Sequence, residues 1–211
     1  MNLKNNELFT KWGIGLTGNI ACGKSSVVDI IEAQGYLVID ADQLSREVKS
    51  KGTETYNEII KTFGQKILGP DMEINRKSLA EIVFKSANER QKLEAIVHPS
   101  IQRLSEKKVS MHFKGRKPDF WFYDAALLIE TGRYTQFHKV WVVSCDSKIQ
   151  LARLITRDKL SQHEALARID SQMDIKKKEA LADVVIYNNS DKQTLRKTVL
   201  AELQNLENSN S

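Results

Sequence analysis

The sequence predicts a three-layer α/β sandwich built on a five-stranded parallel sheet. Three observations carry this prediction. Short apolar runs alternate with amphipathic stretches through most of the chain, the pattern of strands joined by helical crossovers. The stretch Gly18-Asn19-Ile20-Ala21-Cys22-Gly23-Lys24-Ser25 sits between such a run and a helix start. A long helical segment after the second run exceeds a simple crossover and reads as an inserted helical subdomain at the sheet edge.

Taken in order, Trp12–Thr17 is the first strand, short and apolar enough to be covered on both faces. A helix over Lys24–Ala33 stops at Gly35. The second strand, Tyr36–Ile39, ends in Asp40-Ala41-Asp42, carboxylates at the strand edge where open parallel sheets bind ligands. The helical stretch runs from Gln43 to His112. Asn75 starts one helix, Ser86-Ala87-Asn88-Glu89 is a capping box, and His98-Pro99 reads as a cap followed by proline at the first helical position. The third strand, Phe120–Tyr123, ends in Asp124, and the fourth is Val140–Val143. Ser147–Gln150 and Ser161–Glu164 read as capping boxes for two further helices. Asp183–Tyr187 is the fifth strand, Gln193–Leu206 a closing amphipathic helix, and Asn208–Ser211 a tail.

Composition narrows the class. With 211 residues, 28% charged and 41% hydrophobic, the chain suits one ordered α/β domain. No apolar run approaches the roughly 20 residues that span a bilayer. Residues 1–11 lack the apolar core of a signal peptide and are expected to be a flexible leader. Only Cys22 and Cys145 are present, which fits a reducing compartment and a cytoplasmic location. A thiol near a helix N-terminus can acquire a lowered pKa, though Cys22 equally fills a small loop position. The net charge of +5 is spread over four separate groups, Lys49–Lys51, Lys107–Lys117, Arg153–Lys159 and Lys176–Lys178. It forms no single block for nucleic acid.

The Gly18–Ser25 stretch matches G-x-x-x-x-G-K-S, a phosphate-binding P-loop in its required strand–loop–helix setting. Gly18 and Gly23 let backbone N–H groups turn inward as an anion nest. The helix N-terminus adds its positive dipole end. Lys24 reaches the β- and γ-phosphates, and the Ser25 hydroxyl can take one position on a magnesium ion. Asp124, after four apolar residues, is a Walker B-like carboxylate that can hold that ion directly or through water. Arg153 and Arg157 lie four apart on one helix face, where a lid would bring them onto the transferring phosphoryl. The same pattern suits a surface helical hairpin. A guanine-reading N-K-x-D element and a switch-type D-x-x-G are missing, which argues against a GTPase. A small-molecule kinase fits best; other nucleotide kinases and an ATP-dependent switch are the alternatives.

In its order of motifs the chain resembles the dephospho-CoA kinase family from Ile14 to about Asn189. The pieces include Gly15–Ser25, Val38–Asp42, Arg46, Arg76 with Leu79, His98–Ile101, Leu127–Gly132, Gln150–Leu154 with Arg157, Gln172, and Asp183 with Asn188. The resemblance implies a P-loop NTPase-type kinase domain over residues 12–211. Within it would lie a helical acceptor-binding subdomain at 43–113 and a lid at 148–180. It implies transfer from ATP to the ribose 3′-hydroxyl of dephospho-CoA, with magnesium as cofactor and no nucleic-acid or membrane partner, by a monomer or weak homo-oligomer.

The resemblance also implies residue roles. Gly18, Ala21, Cys22, Gly23, Lys24, Ser25 and Ser26 would bind ATP, with Asn188 near the adenine. Asp42, His98, Leu127 and Arg153 would line the acceptor side. Asp42 would orient the hydroxyl or take its proton, with Lys24, Arg153 and Arg157 as its catalytic partners. From the residues alone, Asp42 and His98 could as well be helix caps. Asn19, Ala21, Cys22 and Ser26 stand where the family usually has Gly, Gly, Ser and Thr. Ala126 replaces a proline, which implies a less rigid loop there.

Overall fold

The computed structural model describes residues 5–209; Met1–Lys4, the start of the expected leader, and Asn210–Ser211 of the tail lie outside them. The sheet has five strands, β1 (Gly13–Gly18), β2 (Val38–Asp40), β3 (Trp121–Asp124), β4 (Lys139–Ser144) and β5 (Val184–Tyr187), in the order β2-β3-β1-β4-β5. β1 pairs in parallel with β3 and β4, and β4 with β5. The Phe122 N–H donates to the Leu37 carbonyl at 2.8 Å, just before β2. Chain order reverses direction at β1, so the loop leaving its carboxyl end emerges at a topological switch point, where open α/β sheets bind ligands.

The central strands read as unbroken apolar runs because helices cover both faces. On one face Ile14, Leu16, Phe122, Trp141 and Val143 pack with Val27 and Ile31 of α2 (Lys24–Ala33). Leu195, Val199, Leu203 and Leu206 of α10 (Lys192–Asn208) close the same cluster.

Another cluster corrects an expectation. Part of the predicted flexible leader folds as α1 (Asn5–Trp12), with Leu8 and Phe9 buried. The Phe9 ring meets Trp121 edge-on at 4.7 Å between centroids, and the Trp121 indole N–H donates to the Leu8 carbonyl at 2.9 Å. Gly13 makes the close approach possible, since a Cβ there would lie 2.8 Å from the Phe9 carbonyl oxygen. The segment is too short and polar for its periodicity to stand out, and its partners lie more than a hundred residues away.

The chain divides into two compact units, Met1–Ile39 with Arg116–Ser211, and Asp40–Gly115. The second is helical: α3 (Ala41–Val48), α4 (Glu54–Phe63), α5 (Arg76–Lys85) and α6 (Ala87–His112). Asp40, Thr53, Asn75 and Ser86 cap them through side-chain oxygens that accept backbone N–H groups. The cap of α3 is therefore Asp40, with Oδ1 2.7 Å from the Asp42 nitrogen, and Asp42 is not needed for that task.

His98 is not a cap either. Pro99 lies inside the 26-residue α6. Proline there has no N–H for the Ala95 carbonyl, a loss that normally ends a helix. Here Val97 and Ile101 on one side of it, with Ser105 and Val109 beyond, are buried, and that packing carries the helix through.

In the first unit, α7 (Ser147–Asp158), α8 (Gln162–Asp170) and α9 (Ile175–Glu179) precede β5. Ser161 and Glu164 form the expected capping box of α8. The one expected at Ser147–Gln150 is not formed: the N-cap is Asp146, without a side-chain cap bond, and the Gln150 amide is engaged elsewhere.

Replacing Phe9 with alanine should lower the unfolding free energy by about 3–5 kcal/mol, the cost of emptying a buried aromatic site. A urea unfolding midpoint unchanged from wild type would show that α1 is dispensable to the sheet.

Candidate active site

The loop between β1 and α2 has backbone angles that few residues accept. Ala21 has φ +60° and Gly23 φ +92°. A Cβ at Gly23 would lie 2.0 Å from Asn188 Nδ2, so this position has no room for a side chain. Ala21 takes the left-handed region despite its methyl group, a strain of order 1 kcal/mol that its surroundings must hold.

Those surroundings are specific. The Ile20 N–H donates to Gln172 Oε1 at 2.8 Å, and its carbonyl accepts from Gln150 Nε2 at 2.9 Å. Asn19 Nδ2 donates to the Met173 carbonyl at 2.9 Å. Asn188 Nδ2 donates to the Cys22 carbonyl at 2.9 Å, and Arg153 Nη1 donates to the Asn188 carbonyl at the same distance. Asn188 is buried and is absent from the cavity lining. Its amide braces the loop backbone at Cys22.

In front of the loop is a cavity of about 1190 Å³. Gly18, Ala21, Gly23, Lys24 and Ser25 line it, with Arg153, Arg157, Gln172 and Lys192 on other sides. The Lys24 ammonium is ion-paired with the Asp124 carboxylate, both largely buried. Cys22 is fully buried behind the loop. Its thiol is pushed well above the usual range, first by a hydrogen bond with Cys145 and then by burial. Cys145 is lowered, chiefly by the same hydrogen bond. Cys22 is therefore an inert filler in its ground state and no activated thiolate. Arg157 faces the cavity but holds Asp158, Nε to Oδ1 2.7 Å, and Arg168 holds the other oxygen of the same carboxylate at 2.9 Å.

The loop after β3 has an anchor that sequence reading missed. Lys178, on α9, is fully buried. Its ammonium lies 2.7 Å from Glu130 Oε1 and donates to the Ala126 carbonyl at 3.1 Å. The Thr17 hydroxyl donates to the same carbonyl at 3.1 Å. Two donors on one oxygen thus immobilise the position where the family usually has proline. Leu127, next in the chain, is left 55% exposed. In the sequence Lys178 is only the last member of the lysine run Lys176–Lys178. Asp42 and His98 are both exposed on the helical unit.

Lys178→Met should cost about 3–5 kcal/mol by leaving the Glu130 carboxylate buried without its partner, and adding Glu130→Leu should recover much of it. Denaturant titrations of the single and double variants read this directly. An unaffected single variant would mean that the pair does not hold the loop.

Comparison with known proteins agrees with this geometry. A sequence model of dephospho-CoA kinase matches residues 12–194. A dephospho-CoA kinase from Geobacter sulfurreducens is 44% identical, covering 88% of this chain and 94% of its own. A crystal structure of a Thermus thermophilus protein superposes with a TM-score of 0.79 at 30% identity, covering 92% of this chain and 97% of that one. The structure of dephospho-CoA kinase from Campylobacter jejuni gives a TM-score of 0.60 at 29% identity, covering 92% and 96%. The family match, running through the phosphate loop, the buttress at Asn188 and the Lys178 anchor alike, establishes that this chain belongs to the dephospho-CoA kinase family.

Proposed function

We infer that this chain does what its family does: it transfers the γ-phosphoryl of ATP to the ribose 3′-hydroxyl of dephospho-CoA, giving CoA and ADP in the final step of CoA biosynthesis. The observation that carries this reading is Lys24, paired with Asp124 at the mouth of a constrained phosphate loop, in a chain of this family.

The nest of backbone N–H groups and the α2 N-terminus would take the β- and γ-phosphates. Lys24 would leave Asp124 for those oxygens. Ser25 and Asp124 are hard oxygen donors, one lining the cavity and the other paired with a lining residue, and they suit magnesium, which keeps mostly water and phosphate oxygens. No group of three or more acidic, histidine or cysteine side chains among the described residues could hold a metal without the nucleotide. Bound with ATP, magnesium would neutralise charge on the β- and γ-oxygens.

Arg153, held by Asn188, is a fixed charge beside the loop. Arg157 is exposed and is proposed to exchange Asp158 for phosphate, with Arg168 retaining that carboxylate. Asp42, relieved of capping by Asp40, is free to accept the acceptor hydroxyl and orient it or take its proton. The transition state of phosphoryl transfer is loose, so positioning and charge carry most of the catalysis. No helix among the described residues is long and apolar enough to cross a membrane.

A coupled ADP-release assay tests the reading: turnover should depend on dephospho-CoA and not on nucleosides or nucleic acid. Lys24→Ala should lower kcat by about a hundredfold or more while the far-UV circular dichroism shows the fold retained. Near-normal rates would remove the P-loop assignment. Asp42→Asn should lower kcat by about 10²-fold or more if the carboxylate acts as a base. An unchanged kcat would assign Asp42 no chemical role.

A further inference from the structure

Two thiols meet behind the phosphate loop. β1 and β4 are parallel neighbours, with Gly18 opposite Val143 at their carboxyl ends. Cys22 lies in the loop that leaves β1, and Cys145 follows Ser144, the last residue of β4. Both side chains are free, buried and part of one cluster. The Cys145 backbone N–H donates to the Cys22 sulfur, and the Cys22 thiol donates to the Cys145 sulfur. The phosphate-loop motif does not call for this contact, since the family usually has serine at position 22.

The two thiols differ in what can reach them. Cys22 has no exposed surface, whereas Cys145 keeps 6% and lines a second cavity of about 600 Å³. That cavity lies between the start of α7, α9 and Tyr187, and none of its lining residues belongs to the phosphate cavity. A small solute can therefore arrive at Cys145 without passing through the nucleotide site. Arg153 places its charge beside Cys145 and donates a hydrogen bond to it. The Cys22 hydrogen bond and then Arg153 hold the Cys145 thiol below its usual range, against burial and the Asp146 carboxylate. A reachable thiol beside a cation, with a protonated thiol in contact, is the arrangement of a reactive and a resolving cysteine.

This pair is tied to the phosphate loop. Arg153 Nη1 donates to the Asn188 carbonyl, and Asn188 Nδ2 donates to the Cys22 carbonyl. Arg153, Asn188, Cys22 and Cys145 thus close a ring of contacts, and Arg153 also lines the phosphate cavity. A disulfide sets its sulfurs about 2.05 Å apart, well inside any thiol–thiol hydrogen bond. Forming one draws Cys22 toward the end of β4. Cys22 lies between Ala21 and Gly23, the two residues whose left-handed angles shape the loop. A shift of about 1 Å in such a positioned site can cost ~10²-fold in function.

We propose that Cys145 and Cys22 are a reversible oxidation site, at which hydrogen peroxide converts the thiol pair into a disulfide that withdraws the phosphate loop from ATP. The Cys145 sulfur attacks peroxide: an S–O bond forms, the O–O bond breaks, and the sulfur gives up two electrons. The departing hydroxide leaves as water with the proton that Cys145 released. The Cys22 sulfur then attacks the Cys145 sulfur: the S–S bond forms, the S–O bond breaks, and hydroxide leaves as a second water with the Cys22 proton. Two thiols and one peroxide become one disulfide and two waters. A dithiol reverses the change by exchange. The oxidation itself is independent of the kinase reading, and only its effect on turnover rests on that reading.

Peptide mapping of the full chain after peroxide, before and after dithiothreitol, tests the site. Wild type should yield a Cys22–Cys145 cross-link within one chain. Binding of a fluorescent ATP analogue and kcat/KM for ATP should both fall about tenfold to a hundredfold, and dithiothreitol should restore them. Cys145→Ser should turn over close to wild type before peroxide and keep that rate afterwards. Cys22→Ser should form no disulfide, and dimedone should trap a sulfenic acid at Cys145. Wild type whose two thiols stay free after peroxide, or are cross-linked only between chains, would overturn the proposal. So would a cross-linked chain that binds the ATP analogue as tightly as the reduced one. A chain that forms the bond and loses ATP binding, yet phosphorylates no dephospho-CoA even when reduced, supports the oxidation site and overturns the functional reading instead.

Discussion

The phosphate loop turns its N–H groups to one side, so it cannot satisfy them with neighbours in sequence as a helix or strand would. This is the constraint on which the nucleotide half of the structure depends. The left-handed angles at Ala21 and Gly23 are held from behind by Asn188 on the Cys22 carbonyl. Gln150 and Gln172 hold the two polar groups of the Ile20 peptide. These are long-range bonds, drawn from α7, from the segment after α8 and from the end of β5. Their function is to fix empty geometry before a ligand arrives, so that binding energy is not spent on ordering the loop.

A second fixed element lies on the other side of β1. The buried Lys178–Glu130 pair is weak evidence for stability, since desolvating two charges offsets most of their attraction. Its value is positional. A single carbonyl, that of Ala126, collects the Lys178 ammonium and the Thr17 hydroxyl, and Thr17 belongs to the strand that launches the phosphate loop. The loop after β3 and the loop after β1 are therefore referenced to the same strand. A proline would stiffen that position by limiting φ; here hydrogen bonds do so.

Much of this architecture was legible in the sequence because it depends on local pattern. Strands buried on both faces write themselves as apolar runs, and the phosphate loop has fixed spacing between glycines, lysine and serine. Asn75, Ser86 and Ser161 were readable as caps because a cap needs only its next three residues. The misses share the opposite property. The α1 helix is defined by Trp121. Pro99 looked like a helix start because proline lacks an N–H, and only burial of the residues around it shows why the helix continues. Gln150 resembled the fourth member of a capping box, but its amide belongs to Ile20. Lys178 is indistinguishable in sequence from Lys176, which is exposed on the same short helix and paired with Glu179. In each case a long-range partner overrode the local signal.

The glutamines at 150 and 172 have a consequence for how this chain can vary. They treat the Ile20 peptide as a neighbouring strand would, one amide donating to it and the other accepting from it. The backbone of residue 20 needs no side chain of its own for these two bonds, whereas the amides of both glutamines are required. Helices α7 and α8 with their following segment are thus coupled to the phosphate loop through these two amides. A chimaera that grafted this region from a relative lacking either amide would strand a polar group of the loop, even if every loop residue were retained.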